Sequence, residues 1–266
     1  MDELKTEFTA FVGEEVHVDE NELYHVVNFN PKSSVNELIR NDPKAFCERI
    51  RDGVKDIDGI TGDSALMLSG YKIITDEIRK SGGMPIFPHP YWDYANSYNC
   101  PTDVAQEVLK RGYCDAFEVL GGLNVENNNI QTALYNELRA EGVKVAVVGS
   151  TDCHKTQLRY VDLSDVGKTV VFAKNPDNIP DSIRDLYSVA VETRRSEDER
   201  VYGPLRLVKY TQFLLKNYFP VHNILCNASG TLMCEYFNGN KYLKEAIEKA
   251  EERIAAYKND FFGKRD

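Results

Sequence analysis

Residues 84–92 are MPIFPHPYW, an apolar run that ends at His89 between two prolines. Each proline fixes its own φ, so the backbone on both sides of His89 is restrained. A restrained histidine at the end of an apolar strand is typical of a side chain that must hold one position in a site. The same stretch also fits a histidine packed for structural reasons against Tyr91 and Trp92.

Four other apolar runs end in a side chain that binds divalent metals. They are GEEVH with Glu15, LYHVVNF with His25, DAFEVLGG with Glu118, and VAVVGSTDCH with Asp152 and His154. A divalent cation needs carboxylate oxygens and imidazole nitrogens that converge from different directions. Parallel strands end at one rim of a barrel, and their ends supply such convergence. The five runs together predict a metal site of the kind found in metallohydrolases.

The order of apolar and helical patterns predicts an α/β fold. Apolar runs predict strands near residues 8–17, 23–29, 84–88, 115–120, 143–149, 168–173 and 188–193. Helical spacing predicts helices over Val35–Ile50, Gly70–Ser81, Thr102–Arg111, Asn128–Glu141 and Asp181–Leu186. This alternation is typical of parallel strands with helices outside.

The pattern changes to helices without further strands after about Val201. We therefore predict a metal-binding domain over residues 1–200. A helical segment over residues 201–266 is predicted to pack on that domain or to form an oligomer contact.

Composition limits the partners and the compartment. The chain has 266 residues and a net charge of -10, with a pI near 5.1. An acidic surface argues against general binding of nucleic acid or anionic membranes. The first residues, MDELKTE, do not resemble an export signal, and the six cysteines form no C-x-x-C pair. These features predict a cytoplasmic protein that does not cross a membrane.

Several candidate ligands have alternatives that the pattern alone leaves open. Glu14 and Glu15 are adjacent in a strand, so they point to opposite faces and only one of them enters the site. His17 is in phase with Glu15 and is a further inward candidate. His25 opens an apolar strand, where taken alone a structural core histidine is the better interpretation, so its candidacy depends on the other motifs.

The GSTDCH motif places two candidate ligands two residues apart. Side chains at i and i+2 of an extended segment point the same way, so Asp152 and His154 are predicted to face one cleft. An aspartate that caps the next turn, next to a surface histidine, is the alternative.

Three further residues are candidates for contacts beyond the metal itself. Glu118 precedes Gly-Gly at a strand end, where a carboxylate orients a ligand histidine or contacts substrate. Arg194 and Arg195 follow a predicted strand and fit a fork for phosphate, although surface charges in a polar loop are the alternative.

The set GEEVH, YHVV, FPHPYW, FEVLGG and GSTDCH resembles the later motifs of the polymerase and histidinol phosphatase (PHP) family of metal-dependent phosphoesterases. The resemblance rests on order and spacing from Phe8 to about Tyr210. It implies a distorted (β/α)7 TIM-like barrel with up to three divalent ions, zinc, manganese or iron, at the strand ends. By the resemblance, Glu15 bridges two ions, His25 and His89 complete one, Asp152 binds the second and His154 the third.

The chain departs from that family at its start. Family members open with a strand that carries H-x-H, whereas no histidine precedes Glu15 here. We therefore expect an incomplete barrel that lacks about two βα units, on the order of 60 residues, and binds fewer than three ions. Unpaired strand edges would then be covered by a longer gene product, by the C-terminal helices or by a second copy in a homo-oligomer.

These observations predict hydrolysis of a phosphate monoester in a small phosphorylated substrate through metal-activated water. Asp152 and His154 would act as ligands or as proton-transfer groups. The alternative is a catalytically degenerate metal-binding domain with a regulatory or assembly role, since the H-x-H motif is absent. Hydrolysis of a carbamate or an amide by the same site is a third interpretation.

Overall fold

The computed structural model describes residues 4, 6, 8–18, 24–94, 97–121, 124–153, 167–193 and 199–263. Contacts divide the chain into two compact units. The larger unit comprises residues 11–208, and the smaller comprises residues 1–10 together with residues 209–266. The first ten residues thus group with the C-terminal helices.

The larger unit is a mixed α/β structure around a five-stranded sheet in the order β1-β2-β3-β6-β7. A second sheet has the order β10-β9-β8, and β4 and β5 form a hairpin. The strands are β1 Gly13–Val16, β2 Val26–Phe29, β3 Met84–Phe87, β4 Asp93–Tyr94, β5 Ser97–Tyr98, β6 Ala116–Leu120, β7 Ala146–Gly149, β8 Gly167–Val171, β9 Ser188–Glu192 and β10 Arg200–Tyr202. Over the described ranges these strands do not close into a barrel.

The pairing directions agree with the predicted parallel arrangement only in part. Strands β3, β6 and β7 are parallel, but β1, β2 and β3 are antiparallel, as are β8, β9 and β10. Only residues 17–25 connect β1 to β2, and a parallel crossover needs a dozen or more residues. The prediction of parallel strands throughout was therefore wrong.

The helices follow the predicted order with shifted ends. They are α1 Val35–Asn41, α2 Pro43–Gly53, α3 Gly62–Lys80, α4 Thr102–Lys110, α5 Val125–Ala140, α6 Ile179–Arg184, α7 Leu205–Asn217, α8 Phe219–Phe237 and α9 Lys244–Phe262. The single helix predicted over residues 35–50 is divided at Asp42, because Pro43 disfavours helical backbone before it. Asp42 instead caps α2 by accepting from the Ala45 amide at 3.0 Å.

The short strands β4, β5 and β10 were not predicted. Strand β10 begins at Arg200 and ends at Tyr202, inside the region for which the sequence predicts helices alone. Two or three residues are too few to show a period of two, so these strands have no clear signal in the sequence.

Strand directions bring one set of strand ends to a single edge of the five-stranded sheet. The parallel strands β3, β6 and β7 all finish there. Strand β2 runs against β3 and begins there, and β1 runs against β2 and finishes there. We call this the site edge, because Glu15, His25, His89 and Glu118 lie in or next to its strand ends.

An aromatic stack packs helix α3 against the centre of the sheet. Phe87 lies between Tyr71 and Phe117, with ring centroids 5.4 Å and 6.0 Å away. All three side chains are fully buried, and burial of each stabilises the fold by about 2 kcal/mol or more. This packing fixes β3, which is followed by His89, and β6, which contains Glu118.

Strand β1 is fastened to helix α1 through Glu14 and Asn36. The Glu14 carboxylate accepts from the amide of Val35 at 2.6 Å, from the hydroxyl of Ser34 at 2.6 Å and from the side chain of Asn28 at 2.9 Å. The side-chain amide nitrogen of Asn36 donates to the backbone carbonyl of Glu15 at 2.7 Å. The side-chain oxygen of Asn36 accepts from the backbone amide of His17 at 3.2 Å. A side-chain amide therefore replaces a strand partner along this part of the β1 edge.

We expect Glu14→Ala to lower the free energy of unfolding by about 2 kcal/mol, because it removes a helix cap and leaves donors unpaired. Burial raises the pKa of Glu14, but its bonds to Ser34, Val35, Asn28 and Asn36 outweigh burial and lower it. The ionised Glu14 therefore stabilises the folded chain above pH 4.5, and this contribution to the free energy of unfolding is lost as the pH falls through the lowered pKa.

Urea unfolding at pH 7 and pH 4 tests the Glu14 prediction. Glu37→Ala is the matched control, since Glu37 lies exposed in the first turn of the same helix. Equal midpoints for the two variants at pH 7 would contradict the capping role.

The smaller unit contains α8 and α9 packed on each other. Leu4, Tyr236 and Ile247 form its buried apolar cluster, and Ser229 donates to Glu251 at 2.6 Å. Tyr257 stacks on Tyr218 with ring centroids 5.4 Å apart. The helices predicted for the C-terminal segment are therefore present.

Two further observations concern the cysteines and the helices. All six cysteines are free, so the fold contains no disulfide. Across the described ranges, no helix combines the length and apolar content needed to cross a bilayer.

Candidate metal centre

Three side chains at the site edge direct one metal-binding atom each toward a common point. Nδ1 of His25 lies 2.8 Å from Oε1 of Glu15 and 3.0 Å from Nε2 of His89. Nε2 of His89 lies 3.4 Å from the same Glu15 oxygen. The two histidines are 5% and 3% exposed, whereas the Glu15 side chain is 22% exposed, so the solvent-exposed surface of the cluster belongs mainly to Glu15. The donor set of the cluster can hold a metal ion.

Nδ1 of His25 and Nε2 of His89 are within hydrogen-bond distance of each other, but the contacts of the Glu15 carboxylate fit metal coordination better than hydrogen bonding. Oε1 of Glu15 is buried and has no hydrogen-bond partner with acceptable geometry, although two imidazole nitrogens lie within 3.4 Å of it. Ligands about 2.0–2.2 Å from one cation lie roughly 3.0–3.5 Å from each other. The three separations are close to that range, so a cation between these atoms satisfies an oxygen that the protein leaves unpaired.

Local structure explains why Glu15 and not Glu14 enters the cluster. Adjacent strand residues face opposite sides of the sheet. The Glu14 carboxylate accepts hydrogen bonds from Ser34 and Val35 at the start of α1, so it points away from the cluster. His17 is in phase with Glu15, and its ring centroid lies 4.7 Å from that of His25.

His25 is positioned by the residue before it. Tyr24 has a left-handed backbone with φ of 69°, and its ring lies against Gly70, where an added Cβ would approach a ring carbon to 2.5 Å. The absence of a side chain at Gly70 therefore allows Tyr24 to pack there and sets the backbone that carries His25. Sequence reasoning missed both residues, because their contact joins positions far apart in the chain.

His89 is held by a turn that follows β3. Its carbonyl accepts from the Trp92 amide at 3.0 Å, and the Pro90 carbonyl accepts from the Cys100 amide at 2.9 Å. The indole of Trp92 lies 5.7 Å from the His25 ring and 6.4 Å from the His89 ring. The only tryptophan of the chain is thus next to both histidines.

Glu118 lies behind His89 on the side away from the cluster. Its Oε1 is 3.5 Å from Nδ1 of His89, its side chain is buried, and its Oε2 accepts from the hydroxyl of Ser150. Carboxylates in this position orient a ligand histidine and raise its basicity. Sequence reasoning missed Ser150, although it stands in GSTDCH directly after β7. Glu15 and Glu118 carry two negative charges as carboxylates, which a divalent cation would neutralise.

Asp152 does not belong to the three-ligand cluster among the described residues. Its φ of 49° is left-handed, so the chain is not extended there. The prediction that Asp152 and His154 point the same way assumed extended backbone, which Asp152 does not have. His154, Arg194 and Arg195 lie outside the described residues.

A second group of buried polar residues near this sheet is structural. Asn128 donates to Glu192 at 2.8 Å and to the Gly121 carbonyl at 3.1 Å. Glu192 is buried and pairs with Arg200 at 2.9 Å. These bonds fix the end of β6, helix α5 and strand β9 together, and nothing in the local sequence signals them.

The carboxylates shift the protonation of the metal-free cluster. Burial alone lowers the pKa of His89, but the close approach of Glu118 and Glu15 outweighs it and raises the pKa to about 10. Burial has the opposite effect on the carboxyl group of Glu15 and raises its pKa. The neighbouring His25 and His89 outweigh burial and hold the pKa of Glu15 well below its usual range. The charged His89 stabilises the metal-free fold fully below pH 6.5, and this stabilisation is lost as the pH rises through about 10.

We expect metal binding at pH 8 to release about one proton, because His89 must become neutral to bind a cation. Affinity should therefore rise by about tenfold per pH unit below the raised pKa. Titration calorimetry with zinc in two buffers of different ionisation enthalpy measures the release. Identical heats in both buffers would show that His89 is already neutral.

No family model matches the sequence, and neither does any curated protein.

The donor set defines the chemistry that the cluster supports. Three protein ligands leave a coordination position open for water or substrate, as in catalytic zinc sites and unlike closed structural sites with four protein ligands. Two histidines and one carboxylate also suit iron(II). By its number of ligands, the cluster is therefore a candidate for a catalytic metal centre and not for a closed structural site.

Proposed function

We propose that the chain is a metal-dependent phosphoesterase of the PHP type, which hydrolyses phosphate monoesters of small phosphorylated substrates. The proposal depends on the convergence of Glu15, His25 and His89 on one point. Three protein ligands would leave a four-coordinate cation one position for a reactant. The proposal includes an incomplete (β/α)7 barrel, zinc, manganese or iron as the cation, and a cytoplasmic location.

The order of the motifs supports hydrolysis rather than another metal reaction. Glu15, His25, His89 and Glu118 occur along the chain in the order and spacing of the later PHP motifs. Their common edge, formed by the ends of β1, β3 and β6 and the start of β2, is where α/β enzymes bind substrates.

Each candidate residue would have a separate role in the hydrolysis. Glu15, His25 and His89 hold the cation, and Glu118 orients His89. A bound dication lowers the pKa of water and offsets charge on phosphoryl oxygens. Asp152 and His154 transfer protons or add ligands, and Arg194 and Arg195 bind the phosphate.

The test is hydrolysis of p-nitrophenyl phosphate by the full chain, reloaded with zinc, manganese or iron(II) after chelation. We expect activity that requires the metal and that falls at least 100-fold in Glu15→Gln, which removes the carboxylate ligand. Glu37→Gln, an exposed site on α1, is the matched control.

A metal-binding domain without catalytic activity is the second candidate. It is favoured by the single group of three ligands among the described residues, because a site with one cation spreads transition-state charge less well than a site with three. One tightly bound equivalent of metal without turnover of phosphate esters would support this role and contradict the phosphoesterase. A homo-oligomer that covers the sheet edge is a further expectation of this role.

A further inference from the structure

A pocket of about 950 Å³ lies beside the metal centre, between β1 and helices α1 and α2. His17 lines this pocket, and its ring packs edge-on against His25 with centroids 4.7 Å apart. One pair of imidazoles therefore separates the pocket from the point where Glu15, His25 and His89 converge. We call this space the α1–α2 pocket.

Positive charge dominates the lining of the α1–α2 pocket. Arg40, Lys44 and Arg51 line it, and none of them forms an ion pair with a described acidic residue. Lys44 and Arg51 lie two helical turns apart and share one face of α2. Three cations without acidic partners are unexpected in a chain with a net charge of -10.

The acid in the lining offsets part of this positive charge but not all of it, since it is one carboxylate against three cations. It is Glu14, whose two carboxylate oxygens accept from Ser34, Val35 and Asn28. The pocket also contains an apolar surface, formed by Val18, Ile39 and other residues. A ligand with a charged group and an apolar body would satisfy both surfaces.

We infer that the α1–α2 pocket binds an organic phosphate dianion with an apolar body. Arginine forks match the oxygens of phosphate, and a lining of three cations and one carboxylate keeps a net positive charge that favours a dianion over a monoanion. The inference rests on the proposed function in one respect: the pocket would then hold a second anionic group of the substrate while the scissile ester lies at the metal centre.

The test is calorimetric titration of the metal-stripped full chain with phenyl phosphate. Arg40→Ala and Arg51→Ala are each expected to weaken binding about fivefold to tenfold, because each removes one exposed cation. Both side chains are exposed, so neither change should affect folding. Lys174→Ala is the charge-matched control at an exposed site outside the pocket. Benzoate should bind more weakly than phenyl phosphate.

Equal binding by the wild-type chain and both arginine variants would overturn the inference, as would the absence of saturable binding. Stronger binding of benzoate would overturn the choice of a dianion. The measurement uses no metal and no turnover, so it separates the two proposals. Binding that depends on Arg51 in a chain without hydrolytic activity would retain the pocket and reject the phosphoesterase.

Discussion

Replacement of His89 by alanine is expected to reduce the metal content of the purified chain from about one equivalent to less than about 0.1. His89 supplies one of the three converging atoms, 3.0 Å from His25 and 3.4 Å from Glu15. Its loss leaves two ligands and a cavity between them, and affinity should fall by more than about 100-fold. Elemental analysis of protein purified without chelator measures the change.

His222→Ala is the matched control for His89→Ala. His222 lies in α8, where its nearest described partner is the Cys226 sulfur at 3.5–3.6 Å, and it is not part of the metal cluster. This variant should keep its metal. Retention of one equivalent by His89→Ala, with a circular dichroism spectrum like that of the wild type, would contradict the ligand role.

Glu118→Gln is expected to weaken metal binding by about 10-fold to 100-fold while leaving the stoichiometry unchanged. The substitution preserves the shape of the side chain and removes the charge that lies 3.5 Å from Nδ1 of His89. A less basic imidazole is a weaker ligand. Quenching of Trp92 fluorescence by cobalt(II) reports the affinity, since Trp92 lies next to both histidines.

Glu141→Gln controls for the loss of one acidic charge, because Glu141 forms an exposed ion pair with Lys110 at 2.7 Å. Its cobalt affinity should equal that of the wild type. Loss of all binding in Glu118→Gln would indicate that Glu118 is itself a ligand, and unchanged affinity would show that it does not tune His89.

The order of the longer strands and helices was predictable because it follows from local patterns, whereas the short strands β4, β5 and β10 were not predictable. The break between α1 and α2 could also have been predicted from Asp42-Pro43, since that pair combines a cap with a residue that disfavours helix before it. Pairing direction was not predictable for β2 and β3, because it depends on contacts between distant segments.

In the candidate site too, some residues could be identified from their neighbours in the sequence, and others depend on contacts with distant residues. His89 was identifiable because two prolines beside it restrain the backbone. The choice between Glu14 and Glu15 was not decided by the strand pattern, because a period of two assigns faces without saying which face is inward. That choice depends on Ser34 and Val35, about 20 positions away, which bind Glu14.

Anomalous diffraction from a crystal soaked with zinc would locate the bound cation. We expect a peak about 2.0–2.2 Å from Nδ1 of His25, Nε2 of His89 and Oε1 of Glu15, with one position left for water. A zinc-bound crystal without density at that point, or with zinc held by other side chains, would contradict this expectation.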